Sequence, residues 1–127
     1  MIDARPYTVC IMTQTAGPVL SMQQMLTRLC SISDVPEQGV KQVAPPGLDA
    51  EYAVYRLDGA FYATDDTCTH ALVSLSYGDV ENGQIFCPLH GGAFDIRTGK
   101  ATELPCRLAL KTYTVVVVGD ELFADLS

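Results

Sequence analysis

Basic side chains are scarce. Eight lysines and arginines stand against 15 aspartates and glutamates, a formal charge of -7 at neutral pH. So acidic a chain has little with which to neutralise phosphates, which argues against nucleic acid as a partner. Long apolar runs are missing too. The run nearest the amino terminus, Val9-Cys10-Ile11-Met12, is too brief for a secretory h-region and far too brief to span a bilayer. No targeting signal is visible, and no membrane association is expected. The five cysteines, Cys10, Cys30, Cys68, Cys87 and Cys106, are odd in number and irregularly spaced. That argues against a secreted disulfide framework and makes the reduced cytoplasm the expected compartment. Helical periodicity is weak, and turn signals recur between β-branched and aromatic runs, so the chain reads as all-β, mostly antiparallel sheet. At 127 residues it is one domain that buries about 65% of its unfolded surface.

Histidine is the rarest side chain with metal chemistry: there are two, His70 and His90. Each sits beside a cysteine, in Cys68-Thr69-His70 and in Cys87-Pro88-Leu89-His90, and the 16 residues from Ala71 to Phe86 separate the two segments. Two distant loops must therefore meet to present two sulfurs and two imidazoles to one centre. Zinc accepts that donor set, but zinc loops usually pair like ligands within a segment. In a Rieske [2Fe–2S] centre both cysteines bind one iron and both histidines the other, so each loop must supply one ligand of each kind. The order Cys-x-His and Cys-x-x-His meets that requirement.

The motif Cys-Thr-His, followed at 16 residues by Cys-Pro-Leu-His-Gly-Gly with Ala-Phe-Asp-Ile-Arg-Thr-Gly-Lys-Ala behind it, resembles the Rieske family. More narrowly, it is similar to the ferredoxin components of bacterial aromatic-ring-hydroxylating dioxygenases. The resemblance covers roughly residues 26–126. It implies a Rieske fold of antiparallel sheets with a small cluster-binding subdomain formed by the two ligand loops. Residues 26–127 would be that domain, and residues 1–25 an extension, either an accessory strand around Tyr7 to Ile11 or a flexible arm. Met22 and Met25 offer alternative starts.

The resemblance implies one Rieske-type [2Fe–2S] cluster. Cys68 and Cys87 would hold the inner iron, and His70 and His90 the outer iron, near the surface, where the transferred electron resides. Gly91 and Gly92 would let backbone amides approach the bridging sulfides; a plain tight turn is the other reading. Pro88 would stiffen its loop and Leu89 would help exclude water. Pro105 matches the family's third, proline-bearing loop. The high-potential branch adds a cysteine to each ligand loop and places serine and tyrosine hydroxyls near the cluster. The matching positions here are Val73 and Leu89, and Gly92 and Phe94, so neither the disulfide nor those donors can form.

Several further readings concern structure. Tyr52 to Leu57 and Ala60 to Ala63 should form a hairpin around Asp58-Gly59, and Asn82-Gly83 should turn Asp79-Val80 into Gln84 to Phe86. Leu26 to Ser31 and Gly39 to Val43 read as strands. Leu108 to Val118 and Glu121 to Ala124 read as a closing hairpin, with Val115 to Val118 buried on both faces. Cys10, Cys30 and Cys106 read as small buried hydrophobes. Asp65 and Asp66 read as solvated loop carboxylates or part of an acidic docking face, and Tyr77, Phe86 and Phe94 as core.

With both histidines assigned to iron, neither a catalytic triad nor the two-histidine, one-carboxylate site of a terminal oxygenase can be built. The implied function is a monomeric, soluble one-electron carrier, not an enzyme. It would accept electrons from a flavin-dependent ferredoxin reductase and pass them to a terminal Rieske non-haem iron oxygenase. The alternatives are the small subunit of an assimilatory nitrite reductase and a metal-stapled, non-redox interaction module.

Overall fold

The computed structural model describes residues 7–11, 22–69, 71–89 and 91–126; His70 and His90 lie outside them, as do the readings made on residues 12–21. The strands are β1 (Tyr7–Ile11), β2 (Met22–Ser31), β3 (Gly39–Val43), β4 (Tyr52–Leu57), β5 (Ala60–Asp65), β6 (Asp79–Glu81), β7 (Gln84–Phe86), β8 (Ala93–Asp95), β9 (Ala101–Glu103), β10 (Thr112–Tyr113), β11 (Val115–Val118) and β12 (Glu121–Ala124). Single turns of 3-10 helix follow β2 at Ile32–Asp34 and precede β6 at Leu75–Tyr77. No helix among the described residues is long and apolar enough to cross a membrane.

Among the described residues all strand pairing is antiparallel, in three four-stranded sheets ordered β1-β2-β12-β11, β10-β5-β4-β3 and β6-β7-β8-β9. The two expected turns close as anticipated. Asp58-Gly59 and Asn82-Gly83 each carry two consecutive positive φ values, 51° then 82° and 51° then 76°. That conformation matches the right-handed twist of the strands it joins, and it is why an Asx-Gly pair stands there.

The sheet holding β4 is the middle layer. Because side chains alternate along a strand, Ala53, Tyr55 and Leu57 face one way, packing with Leu75, Ile85, Phe94 and Ile96. Tyr52 and Val54 face the other way and join Leu29, Val35, Val43, Leu122 and Ala124. The first interior lies against the sheet from β6 to β9 and also contains Cys68, Cys87 and Cys106. Side chains such as Phe94, Ile85 and Leu75 are fully buried, each worth about 1.5–3 kcal/mol of apolar transfer. The second interior is clasped by Arg28, whose Nε and Nη2 donate to Glu121 at 2.8 and 3.1 Å.

Three readings from sequence are corrected. Val117 and Val118 are about half exposed, because β11 is the outer strand of its sheet and has only β12 beside it. Its run of four valines is an edge and not a doubly covered strand. Tyr77 is 76% exposed. It ends a three-residue turn that can direct only one large side chain inward, and Leu75 takes that place. Asp66 is 1% exposed and so is neither solvated nor on a docking face. Phe94 is core, Phe86 is half-buried, and Cys30 and Cys106 are buried.

Candidate metal centre

Two loops are closed in the same way. In the first, the Cys68 amide donates to the Val73 carbonyl at 3.0 Å, with Thr67 and Ser74 bridged just outside it. In the second, the Cys87 amide donates to the Gly92 carbonyl at 2.7 Å, directly below the Phe86–Ala93 pair of β7 and β8. Each cysteine thus bonds to the residue five positions later, and each histidine position falls inside the loop so formed. Strand pairing fixes the loop bases and delivers both sulfurs to the same interior.

The first loop has a buttress that the sequence did not reveal. Asp66 accepts from Gln42 Nε2 at 2.7 Å and from the Ser76 amide at 2.9 Å. Its carbonyl accepts from the Leu75 amide at 2.7 Å. A buried carboxylate must find such donors, and the segment that follows the loop, together with β3, supplies them. Asp65 beside it accepts from the Tyr113 hydroxyl at 2.6 Å. The second loop is held from below by the Asp95 turn. Asp95 Oδ1 takes the amides of Arg97 and Thr98, and the Ile96 amide reaches the Gly83 carbonyl.

Cys68 and Cys87 are each 3% exposed and in mutual contact. The Cys87 thiol is pushed above its ordinary value chiefly by burial, with the neighbouring Cys68 adding to the effect. Opposing both, the Leu89 amide donates to the Cys87 sulfur. The buried Cys87 thiol, beside a second sulfur, resists ionisation in isolation, and a cation between the two sulfurs would favour its thiolate. The donor set therefore fits a metal group and does not suit a bare pair of anions. Among the described residues no three Cys, Asp or Glu side chains are arranged to hold a metal ion.

The third loop, from Leu104 to Leu110, folds over the other two. Thr69 Oγ1 donates to the Leu108 carbonyl at 2.9 Å, and Cys106 Sγ lies 3.8 Å from Cys68 Sγ. Burial, with the adjacent sulfurs of Cys68 and Cys87, pushes the Cys106 thiol up to about 12. Gly92 is explained by this neighbour: a Cβ there would stand 2.4 Å from Cys106 Sγ. Gly91, by contrast, has a φ of 73° and open space where its side chain would be, so it serves the turn. Around the three loops lie exposed apolar side chains, Leu72, Leu89, Leu104 and Leu108, with Tyr77 beside them. Leu89 is 42% exposed, at the surface and not sealed over the sulfurs.

The chain is similar to known proteins in both sequence and fold. A family model described as Rieske [2Fe-2S] domain matches residues 25–114. The chain is 40% identical over 102 residues to the ferredoxin CarAc of Metapseudomonas resinovorans, covering 80% of this chain and 94% of that one. It is also 40% identical over 97 residues to the ferredoxin component of the naphthalene 1,2-dioxygenase system of Pseudomonas aeruginosa, covering 76% and 91%. Among solved structures, a complex of reduced oxygenase and oxidised ferredoxin in carbazole 1,9a-dioxygenase contains a chain with TM-score 0.74 and 39% identity, covering 80% of this chain and 94% of that one. A putative nitrite reductase small subunit, with TM-score 0.67 and 23% identity over 79% and 97% of the chains, shares the fold alone.

Proposed function

This chain belongs to the Rieske [2Fe–2S] family, and from that premise we propose that Cys68 and Cys87 hold one iron of the cluster and His70 and His90 the other. It carries one Rieske-type [2Fe–2S] cluster and is an electron-carrying ferredoxin component of a dioxygenase system, not itself an enzyme. The observation supporting the ligand assignment is the pair of loops, each closed from its cysteine to the residue five later, with both sulfurs buried side by side. In this reading residues 26–127 are the cluster-bearing domain and residues 1–25 an extension. The protein works as a cytoplasmic monomer between a flavin-dependent reductase and a terminal aromatic-ring oxygenase.

When bound, the cluster supplies a one-electron couple; the chain sets its environment. Deep placement of Cys68 and Cys87 excludes water from the sulfur side, and the Leu89 amide stabilises the Cys87 thiolate. Docking to the oxygenase uses the exposed leucines around the loops, while the acidic remainder of the surface steers the chain towards basic patches and makes association fall with salt. The nitrite reductase reading has the weaker support, since the 40% identical relatives carry dioxygenase names.

Purified protein should be brown, contain two irons and two labile sulfides, and give a rhombic paramagnetic signal after dithionite. Zinc without labile sulfide would overturn the assignment. Turnover with a ring-hydroxylating oxygenase, and none with a sirohaem nitrite reductase, tests the role.

Two quantitative outcomes follow. Phe94 is buried without a hydroxyl and Gly92 has no side chain, so the reduced cluster lacks those donors. The midpoint should fall at the low end of the Rieske range, about -150 mV. A voltammetric value above about +100 mV would contradict it. For docking, Leu108→Glu, at a side chain 70% exposed, should raise the ferredoxin concentration needed for half-maximal oxygenase turnover by about tenfold, roughly 1.4 kcal/mol. The visible spectrum should not change. Unaltered concentration dependence would remove Leu108 from the docking face.

A further inference from the structure

The third loop brings a cysteine to the centre that the four-ligand pattern does not use. Cys106 Sγ lies 3.8 Å from Cys68 Sγ, within hydrogen-bond range for sulfur, and both residues are 3% exposed. In the metal-free chain either sulfur can donate. Cluster binding removes that ambiguity, because a ligating cysteine is deprotonated and has no hydrogen left to give. Only Cys106 can then be the donor, and its acceptor is a charged, buried sulfur. A weak thiol donor gains strength when the acceptor is ionised and the local dielectric is low.

The packing around Cys106 fixes this geometry. Its sulfur occupies the space a side chain at Gly92 would need, so the second ligand loop presses it towards the first. Its amide is tied to the Glu103 carbonyl at 3.1 Å, and Thr69 Oγ1 anchors the same loop two residues on, at Leu108. We infer that Cys106 is a positioning residue that tunes the cluster, its thiol donating a hydrogen bond to the Cys68 thiolate and favouring the reduced state. Hydrogen bonds to cluster sulfurs raise the potential, because reduction adds negative charge that a donor stabilises. This inference rests on the proposed assignment of Cys68 as a ligand. A third-loop thiol thus stands in for part of what is missing at Gly92 and Phe94.

The test compares Cys106→Val and Cys106→Ala, which remove the donor, with Cys106→Ser, which keeps one. In all three, iron and labile sulfide content and the rhombic signal should match the parent protein. The midpoint should fall in the valine and alanine variants by a threefold to tenfold shift of the one-electron equilibrium, up to about 59 mV. An exchangeable deuteron coupled to the cluster in D2O should vanish in both. Serine should restore most of the midpoint and the deuteron coupling. A midpoint unchanged in valine and alanine, or a serine variant as low as they are, would overturn the inference in favour of simple packing. Loss of the cluster in every variant would overturn it by making Cys106 a ligand. Failure of the ligand reading shows elsewhere: Cys68→Ala, made in the Cys106→Val background so that no nearby thiol can replace it, would retain a full cluster.

Discussion

Cys87→Ala is expected to give a colourless chain with only trace iron and no rhombic signal after reduction. Cys87 is the first residue beyond β7, its amide closes the second loop on Gly92, and its sulfur touches Cys68 in a pocket closed to solvent. Alanine keeps the amide and therefore the loop, but removes the thiolate. Folding should survive, because Ile85, Phe94 and Ile96 still fill the same interior. Truncating a small buried side chain costs about 1–2 kcal/mol, within the ordinary range of single substitutions. The expected pattern is thus a folded β-sheet circular dichroism spectrum without a cluster. His70→Cys and His90→Cys should behave differently, lowering the midpoint or preventing assembly, since a third thiolate makes the site more anionic. A Cys87→Ala protein that still carries full iron and labile sulfide would disprove the ligand assignment.

Gly78→Ala is expected to be among the most damaging single-methyl changes in the chain. Gly78 links the turn at Leu75–Tyr77 to β6, and a Cβ there would lie 1.8 Å from the Phe86 carbonyl oxygen. The glycine φ of -89° suits any residue, so backbone strain is not the cause. The obstacle is a backbone atom that cannot rotate away. To admit the methyl, β6 must separate from β7 at the Asp79–Phe86 pair, immediately before Cys87. We expect destabilisation of about 3 kcal/mol, the upper part of the range for overpacking, and a fall in Tm of about 10 °C. Cluster occupancy should fall with it, because β7, which loses its partner there, leads directly into Cys87. A Tm within about 2 °C of the parent protein would show that the two strands part without cost.

Local features of the chain were readable where local chemistry decides them. Asp58-Gly59 and Asn82-Gly83 are turns because few dipeptides accept two positive φ values, and the aromatic and β-branched side chains of β4 mark it as a strand. The two Cys and His segments stand out because each of the chain's two histidines follows a cysteine within three residues. What escaped depended on distant partners. Whether Val115 to Val118 lies inside or at an edge is decided by the order β1-β2-β12-β11, which no property of four valines encodes. Asp66 is buried because Gln42, 24 residues earlier, offers it a donor. Cys106 was read correctly as a small buried residue, but its neighbour Cys68 is 38 residues away and becomes adjacent only when the third loop folds back. Gly92 has a steric requirement of the same origin, because the sulfur that a side chain there would meet belongs to that distant cysteine.

The double duty of β4 has a consequence for how the chain avoids misthreading. Tyr52 and Val54 point into one interior and Ala53, Tyr55 and Leu57 into the other. Sliding this strand by one position against β3 and β5 would exchange the two sets. Arg56, whose guanidinium now lies over the Phe61 ring at 5.4 Å, would then turn towards the compartment that receives Cys68 and Cys87. A permanent cation dropped there without a counterion is a heavily disfavoured fold. The strand at the centre of the molecule thereby proofreads its own alignment, and it does so before any iron arrives.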